Sequence, residues 1–199
     1  MITILYNMTS WYTNWFTKWF DFGSPNEVIL QSSLKRKYRY YCPSFKRLQK
    51  AAKEHQYVVM SRKKIRYIYN TNHQEIDIKP KGLWFGIQDH WIRWIKYEMP
   101  EWKEPNLTSL EIDENKLLII NTVEKIQEFD QTYGCYLKDF PNFRVINWKQ
   151  VAKQYDGILF PVYFPDQRRI YIWYNAIDVP SGCIWNKQAV KNFQSISVL

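Results

Sequence analysis

Thirty-six of the chain's 199 side chains are aromatic, ten of them tryptophan, and no other feature constrains its folding as much. Rings of this size bury large apolar areas at low cost in side-chain entropy, so a chain this rich in them collapses around a core. Apolar residues at 46% and charged ones at 24% sit close to the globular average, which excludes disorder for most of the length. About 200 residues suffice for one full core without disulfide or metal staples.

The three cysteines, Cys42, Cys135 and Cys183, lie far apart, form no CxxC pair and are odd in number. That pattern argues for a reducing compartment. Two Asn-x-Thr sequons, at Asn7 and Asn106, would matter only in a secreted chain. No apolar run reaches the roughly 18 residues of a membrane span. The uncharged first 17 residues are broken by polar side chains and lack a basic lead, so they do not read as a signal peptide. The expectation is an intracellular protein.

Net charge is +9, and it is concentrated. Residues 35 to 66 hold twelve bases and one acid, a net +11, whereas the other 167 residues sum to −2. Tyr38, Tyr40, Tyr41, Phe45, Tyr57, Tyr67 and Tyr69 accompany these bases, among them Lys35, Arg36, Lys37, Arg39, Lys46 and Arg47. Cations with interleaved rings suit single-stranded nucleic acid, because phosphates need positive charge and bases stack on rings. The same pattern also suits a folded surface whose rings point inward while Lys and Arg stay solvated. Near the amino terminus, Trp11, Trp15 and Trp19 recur every four residues, and Tyr12, Phe16 and Phe20 follow one position on. Together they form a broad aromatic helix face that must pack on its own domain, a protein partner or a membrane interface.

Periodicity predicts a helix over 43–54 and strands over 27–31, 56–60, 65–69 and 82–86, then a helix over 89–98 stopped by Pro100. Residues 100–115, with two prolines and a cluster of acids, read as a surface loop. A buried strand follows at 116–120. Asn121 and Glu124 resemble a capping box for a helix that Gly134 ends, and Asn147 with Gln150 repeats the device for a short helix. Strands over 157–162, 169–174 and 182–185 close the chain. Helices and strands mix without βαβ alternation, so the class is α+β.

Six glycines are arranged in neither GxGxxG nor GxxxxGK[ST], and GxSxG and HExxH are also absent. The three histidines do not cluster with the cysteines, so no metal site is expected. Carboxylate pairs are available at Glu98 and Glu101 and at Glu111, Asp113 and Glu114, although exposed acidic loops look the same. Asp156 and Asp178 each abut a strand or turn rather than a charge run, and either serves equally as a turn former.

Two strings stand out: KPKGLWFG over residues 79–86, and YDGILFPVY with DVPSGCIWN between residues 155 and 186. They resemble segments of small uncharacterised proteins of phages and large DNA viruses that carry KPxGLW and SGCIWN. The order of elements from 57 to 190 also resembles the ADP-ribosyltransferase fold. That resemblance implies two small, packed, mainly antiparallel sheets with flanking helices and NAD bound in the cleft between them. It implies Trp84 as the aromatic that stacks nicotinamide, and Arg62 or Arg66 as the holder of the diphosphate. The family's catalytic Glu falls at Ser181, whose hydroxyl cannot supply a negative charge to a developing cation.

Three outcomes follow from that departure. Asp178 serves as a surrogate acid, or the fold binds NAD or a nucleotide without turnover, or it is a scaffold. Ordinary core packing accounts equally for Trp84. The sequence divides into an amino-terminal aromatic and basic segment, 1–54, and an ADP-ribosyltransferase-like domain, 55–199, folded as one compact unit. The leading expectation is an NAD- or nucleotide-handling protein, with mono-ADP-ribosyl transfer as its chemistry, in a host cytoplasm or virion. The alternative is a basic nucleic-acid-binding or virion-associated structural protein without catalysis.

Overall fold

The computed structural model describes residues 42–71, 73–137 and 140–198. They belong to one compact unit, Cys42–Leu199. Trp11, Trp15 and Trp19, the strand expected over 27–31, and Lys35, Arg36, Lys37 and Arg39 lie outside the described residues.

Helix α1 (Phe45–Lys53) starts where the Ser44 hydroxyl accepts the Arg47 N–H. Its Leu48 and Ala52 are fully buried, while Lys46, Arg47, Lys50 and Lys53 are exposed. The helix thus packs into the same unit as the strands that follow. Next come β1 (Tyr57–Ser61), the two-residue β2 (Ile76–Asp77), β3 (Leu83–Ile87) and α2 (His90–Tyr97). Gln88, at φ 48, makes the turn into α2 and donates its N–H to the Gln56 carbonyl. Strands β4 (Asn106–Ile112) and β5 (Leu117–Ile119) precede α3 (Val123–Tyr133). Thr122 caps α3 by accepting the Lys125 N–H, one residue beyond the expected Asn121.

The chain continues through β6 (Gly134–Leu137), β7 (Phe140–Asn147) and the single turn α4 (Trp148–Val151). Asn147 caps α4 through the Gln150 N–H, as its spacing predicts. Strands β8 (Gly157–Phe160), β9 (Ser181–Ile184) and β10 (Val190–Ile196) end the fold. Residues 169–174, expected as a strand, contribute instead to two 3-10 turns, Pro165–Arg169 and Ile172–Ala176. Residues 65–69 lie outside any ladder, and β4 occupies the stretch expected as loop.

The protein therefore mixes helices with mainly antiparallel sheets. Among the described residues one sheet has seven strands, in the order β10-β4-β1-β3-β9-β8-β5, and the other has three, β2-β7-β6. Among the described residues only the β5–β8 pair is parallel. The larger sheet holds more strands than the two small sheets expected, because β4 and β10 extend it on one side.

Alternation along the strands sorts side chains to the two faces of the large sheet. One face carries Tyr57, Val59, Phe85, Leu110, Leu159 and Ile184 in a single cluster, against which Ile65 and Ile68 pack. The opposite face carries two clusters side by side. Val58 and Leu107 meet Leu48, Ala52 and Ile92 of α1 and α2. Ile158, Phe160 and Cys183 meet the rings of Phe129, Trp148 and Trp173, with Trp84 at the margin. Asp130 ties this aromatic half together: its carboxylate accepts from Arg144 Nε at 2.7 Å and from the Trp173 indole N–H at 2.9 Å.

The boundary between the two clusters falls at β3. There β1 pairs with β3 through Tyr57–Ile87 and Val58–Gly86 only, whereas it pairs with β4 at five positions. Among the described residues, 59–61 and 83–85 are not paired with each other, so the sheet forks beside Trp84. At the closed end of the fork α2 approaches closely. A Cβ on Gly86 would stand 3.0 Å from that of Trp91, which leaves little room there for any larger side chain.

Candidate functional site

The segment from Gln74 to Trp84 enters this fork under firm local control. The buried Gln74 amide donates to the Lys81 carbonyl at 2.6 Å and accepts the Lys81 N–H at 3.0 Å, closing a loop around Lys79 and Pro80. Gly82, at φ 157, then turns the chain into β3, where a Cβ would stand 2.4 Å from the Ile184 carbonyl oxygen. Trp84 is thereby fixed opposite Cys183 of β9, and its indole N–H donates to the Pro80 carbonyl at 3.3 Å.

The Lys79 ammonium lies 4.2 Å above the Trp84 ring, a cation–π arrangement. Burial holds its pKa below the usual lysine range, and the nearby Asp178 carboxylate works in the opposite direction. A desolvated cation thus lies over a ring within the field of a carboxylate.

Asp178 sits three residues before Ser181, between the turn Ile172–Ala176 and β9. Burial raises its pKa, Arg168 and Lys79 lower it, and Glu98 raises it further. Arg168 Nη1 lies 3.4 Å from the Asp178 carboxylate. The guanidinium also donates to the Asn175 side chain at 3.3 Å and to the Tyr163 hydroxyl at 3.4 Å. Tyr163 in turn stacks on Tyr174, so the arginine is braced by both 3-10 turns. On the other side of the fork, Trp91 and Trp94 of α2 stack with centroids 5.0 Å apart, and Trp102 leans on both. Glu98 ends that helix.

The structure thus brings Trp84 and Asp178 into one neighbourhood, joined by Lys79. Ser181 is close in register, opposite Gly86 and Phe160, but its buried hydroxyl donates to the Val179 carbonyl at 2.9 Å. Arg62 and Arg66 lie elsewhere, exposed on the segment after β1, where the Arg62 carbonyl accepts from Asn106. Lys46 and Arg47 are exposed on α1. Of the acids named as pairs, Glu98 alone enters the electrostatics of Asp178. Asp156 acts as a turn organiser, accepting from the Asn186 side chain at 2.8 Å.

Two cations of this neighbourhood, Lys79 and Arg168, were not singled out by sequence reasoning. Lys79 opens the KPKGLWFG string, so a signal existed, whereas nothing local to Arg168 marks it. Cys183, beneath Lys79, is fully buried and burial drives its thiol pKa up, which makes it a poor nucleophile. Among the described residues no cluster of His, Cys, Asp and Glu is arranged to hold a metal ion, and no helix is long and apolar enough to cross a membrane. Compared with protein-family models, curated proteins and solved structures, the chain matches none.

Proposed function

We propose that the protein binds NAD or a related nucleotide in the fork beside β3, as an ADP-ribosyltransferase-like protein. The observation that carries this reading is Lys79 held over Trp84 within the field of Asp178, which also pairs with Arg168. The residue types fit such a ligand. A nucleotide presents anionic oxygens and flat rings; Lys79 and Arg168 answer the first, and Trp84, with Trp91 and Trp94 across the fork, answers the second. Lys79 and Arg168 take the diphosphate role expected of Arg62 or Arg66. Over 83–85, β3 pairs with β9 and has no β1 partner, which supports the same reading, since amide and hydroxyl groups of a ligand can bond the β1-facing edge.

Transfer chemistry would break the N-glycosidic bond, with its electron pair leaving on nicotinamide, and bond the ribosyl carbon to an acceptor that loses a proton. Ser181 has no charge to offer the cationic transition state, so Asp178 is the acid assigned that task.

Calorimetry with NAD and ADP-ribose tests binding, and nicotinamide release tests turnover. Lys79→Gln and Trp84→Ala are each expected to weaken binding about tenfold, and Asp178→Asn to abolish turnover while sparing most of the affinity. Absence of binding by the parent protein, or affinity unchanged in both Lys79→Gln and Trp84→Ala, overturns the reading.

A further inference from the structure

The segment between β1 and β2 carries a second, separate surface. Tyr67 and Tyr69 are 70% and 77% exposed, among the most exposed large rings of the described residues. Their centroids are 6.4 Å apart at 49°, so neither ring covers the other. Arg62, Lys63, Lys64 and Arg66 stand beside them, all exposed, and no acid occurs between residues 62 and 74.

This display is held rather than loose. Ile65 and Ile68 pack against the core on the face of Tyr57 and Phe85. At one end the Arg62 carbonyl accepts from Asn106 at 2.9 Å. At the other, the Thr71 N–H donates to the Trp185 carbonyl at 2.7 Å and Asn70 accepts the Lys187 N–H at 2.9 Å. Two apolar anchors thus fix a backbone that presents four cations, Arg62, Lys63, Lys64 and Arg66, followed by two rings, Tyr67 and Tyr69, to solvent. The segment then runs into a shallow polar groove bordered by Asn70, Thr71, His73, Lys149, Lys153 and Trp185. The carboxylate at its margin, Glu75, is paired with Lys81 at 2.7 Å.

We infer that Tyr67, Tyr69 and the four cations beside them form a binding strip for single-stranded nucleic acid. Exposed rings cost solvation unless something flat covers them, and cations without acids call for a polyanion; one ligand class meets both demands along a single strand. Amide, hydroxyl and imidazole groups in the adjoining groove suit base edges better than an acidic peptide, which has no rings to stack. The inference stands independently of the fork, since none of these residues belongs to it.

Fluorescence anisotropy of the full chain with short labelled oligothymidylate and oligouridylate strands, across a salt series, tests it. Tyr67→Ala with Tyr69→Ala is expected to weaken binding tenfold or more at fixed salt and leave the log-log salt slope unchanged, while the Phe pair restores affinity. Changing Arg62, Lys63, Lys64 and Arg66 to Gln should reduce that slope by about 3. Equal behaviour of the two strands assigns recognition to the chemistry that DNA and RNA share, and a preference for one names the source. The inference is overturned if the Ala pair, with an unchanged melting temperature, binds as the parent does. It is also overturned if polyglutamate competes as well as the oligonucleotides, or if a duplex of equal length binds as tightly.

Discussion

The carboxyl of Asp77 illustrates how burial of one group becomes a property of the protein. Burial pushes its pKa up to about 6 from the ordinary 3.8, even though it accepts the Ile78 N–H at 2.6 Å. Between those two values the folded chain holds a proton that the unfolded chain has released. Stability from this group is therefore full below the lower value and is lost as pH rises through the upper one. Asp77→Asn keeps the acceptor and removes the charge. The variant should unfold at higher denaturant than the parent at pH 7, by about 1 kcal/mol once solvent screening of this half-exposed carboxyl is allowed for, and match it near pH 4. Such detail is beyond sequence reading, because the shift comes from the surroundings of the side chain and not from its neighbours in the chain. Caps are the opposite case. Asn147 was legible since the acceptor and the donor it satisfies lie three residues apart.

At the scale of elements, β4 carries the clearest lesson. Pro100, Pro105 and a run of acids make residues 100–115 look like a loop, yet β4 pairs with both β1 and β10. Of the acids only Glu111 lies within the strand, exposed, and the rest fall beyond its ends, while Leu107 is buried on one face and Leu110 and Ile112 on the other. Local composition was dominated by the residues facing water, and long-range pairing decided the outcome. Leu110→Ala is accordingly expected to cost about 2 to 4 kcal/mol in denaturant unfolding, against less than about 0.5 for the exposed Glu111→Ala. If the two variants were equally benign, the segment would be behaving as a loop. The converse errors have the same root. Residues 65–69 have strand-like composition and no ladder, because Ile65 and Ile68 bury without a neighbouring backbone to pair with. Residues 169–174 alternate like a strand, but Arg168 and Asn175 lock that stretch into 3-10 turns by bonding each other.

For the molecule as a whole, the mixture of helices with a mainly antiparallel sheet was legible, since the hydrophobic runs of β1, β3, β5, β8 and β9 are strong. The order of strands was not, because it depends on pairings between segments far apart in sequence. Trp84 and Asp178 were named from motifs, and their meeting through Lys79 appears only once β3 and β9 lie side by side. Charge followed the same course. The concentrated positive stretch resolves, among the described residues, into a solvated face of α1 and a ring-bearing strip after β1, neither of which contributes to the fork.

The brevity of the β1–β3 junction also has a mechanical side. Within the ladder only two residue pairs join β1 to β3, although side chains of one core cluster cross the junction. Thermal opening of the ladder should start at a join that short, ahead of the longer ones. In native-state hydrogen exchange, amides at the β1–β3 junction are expected to exchange sooner than those between β1 and β4. A ligand seated across the junction would slow them by holding β1 and β3 together, so the exchange rate of a few backbone protons would report occupancy without any measurement of chemistry.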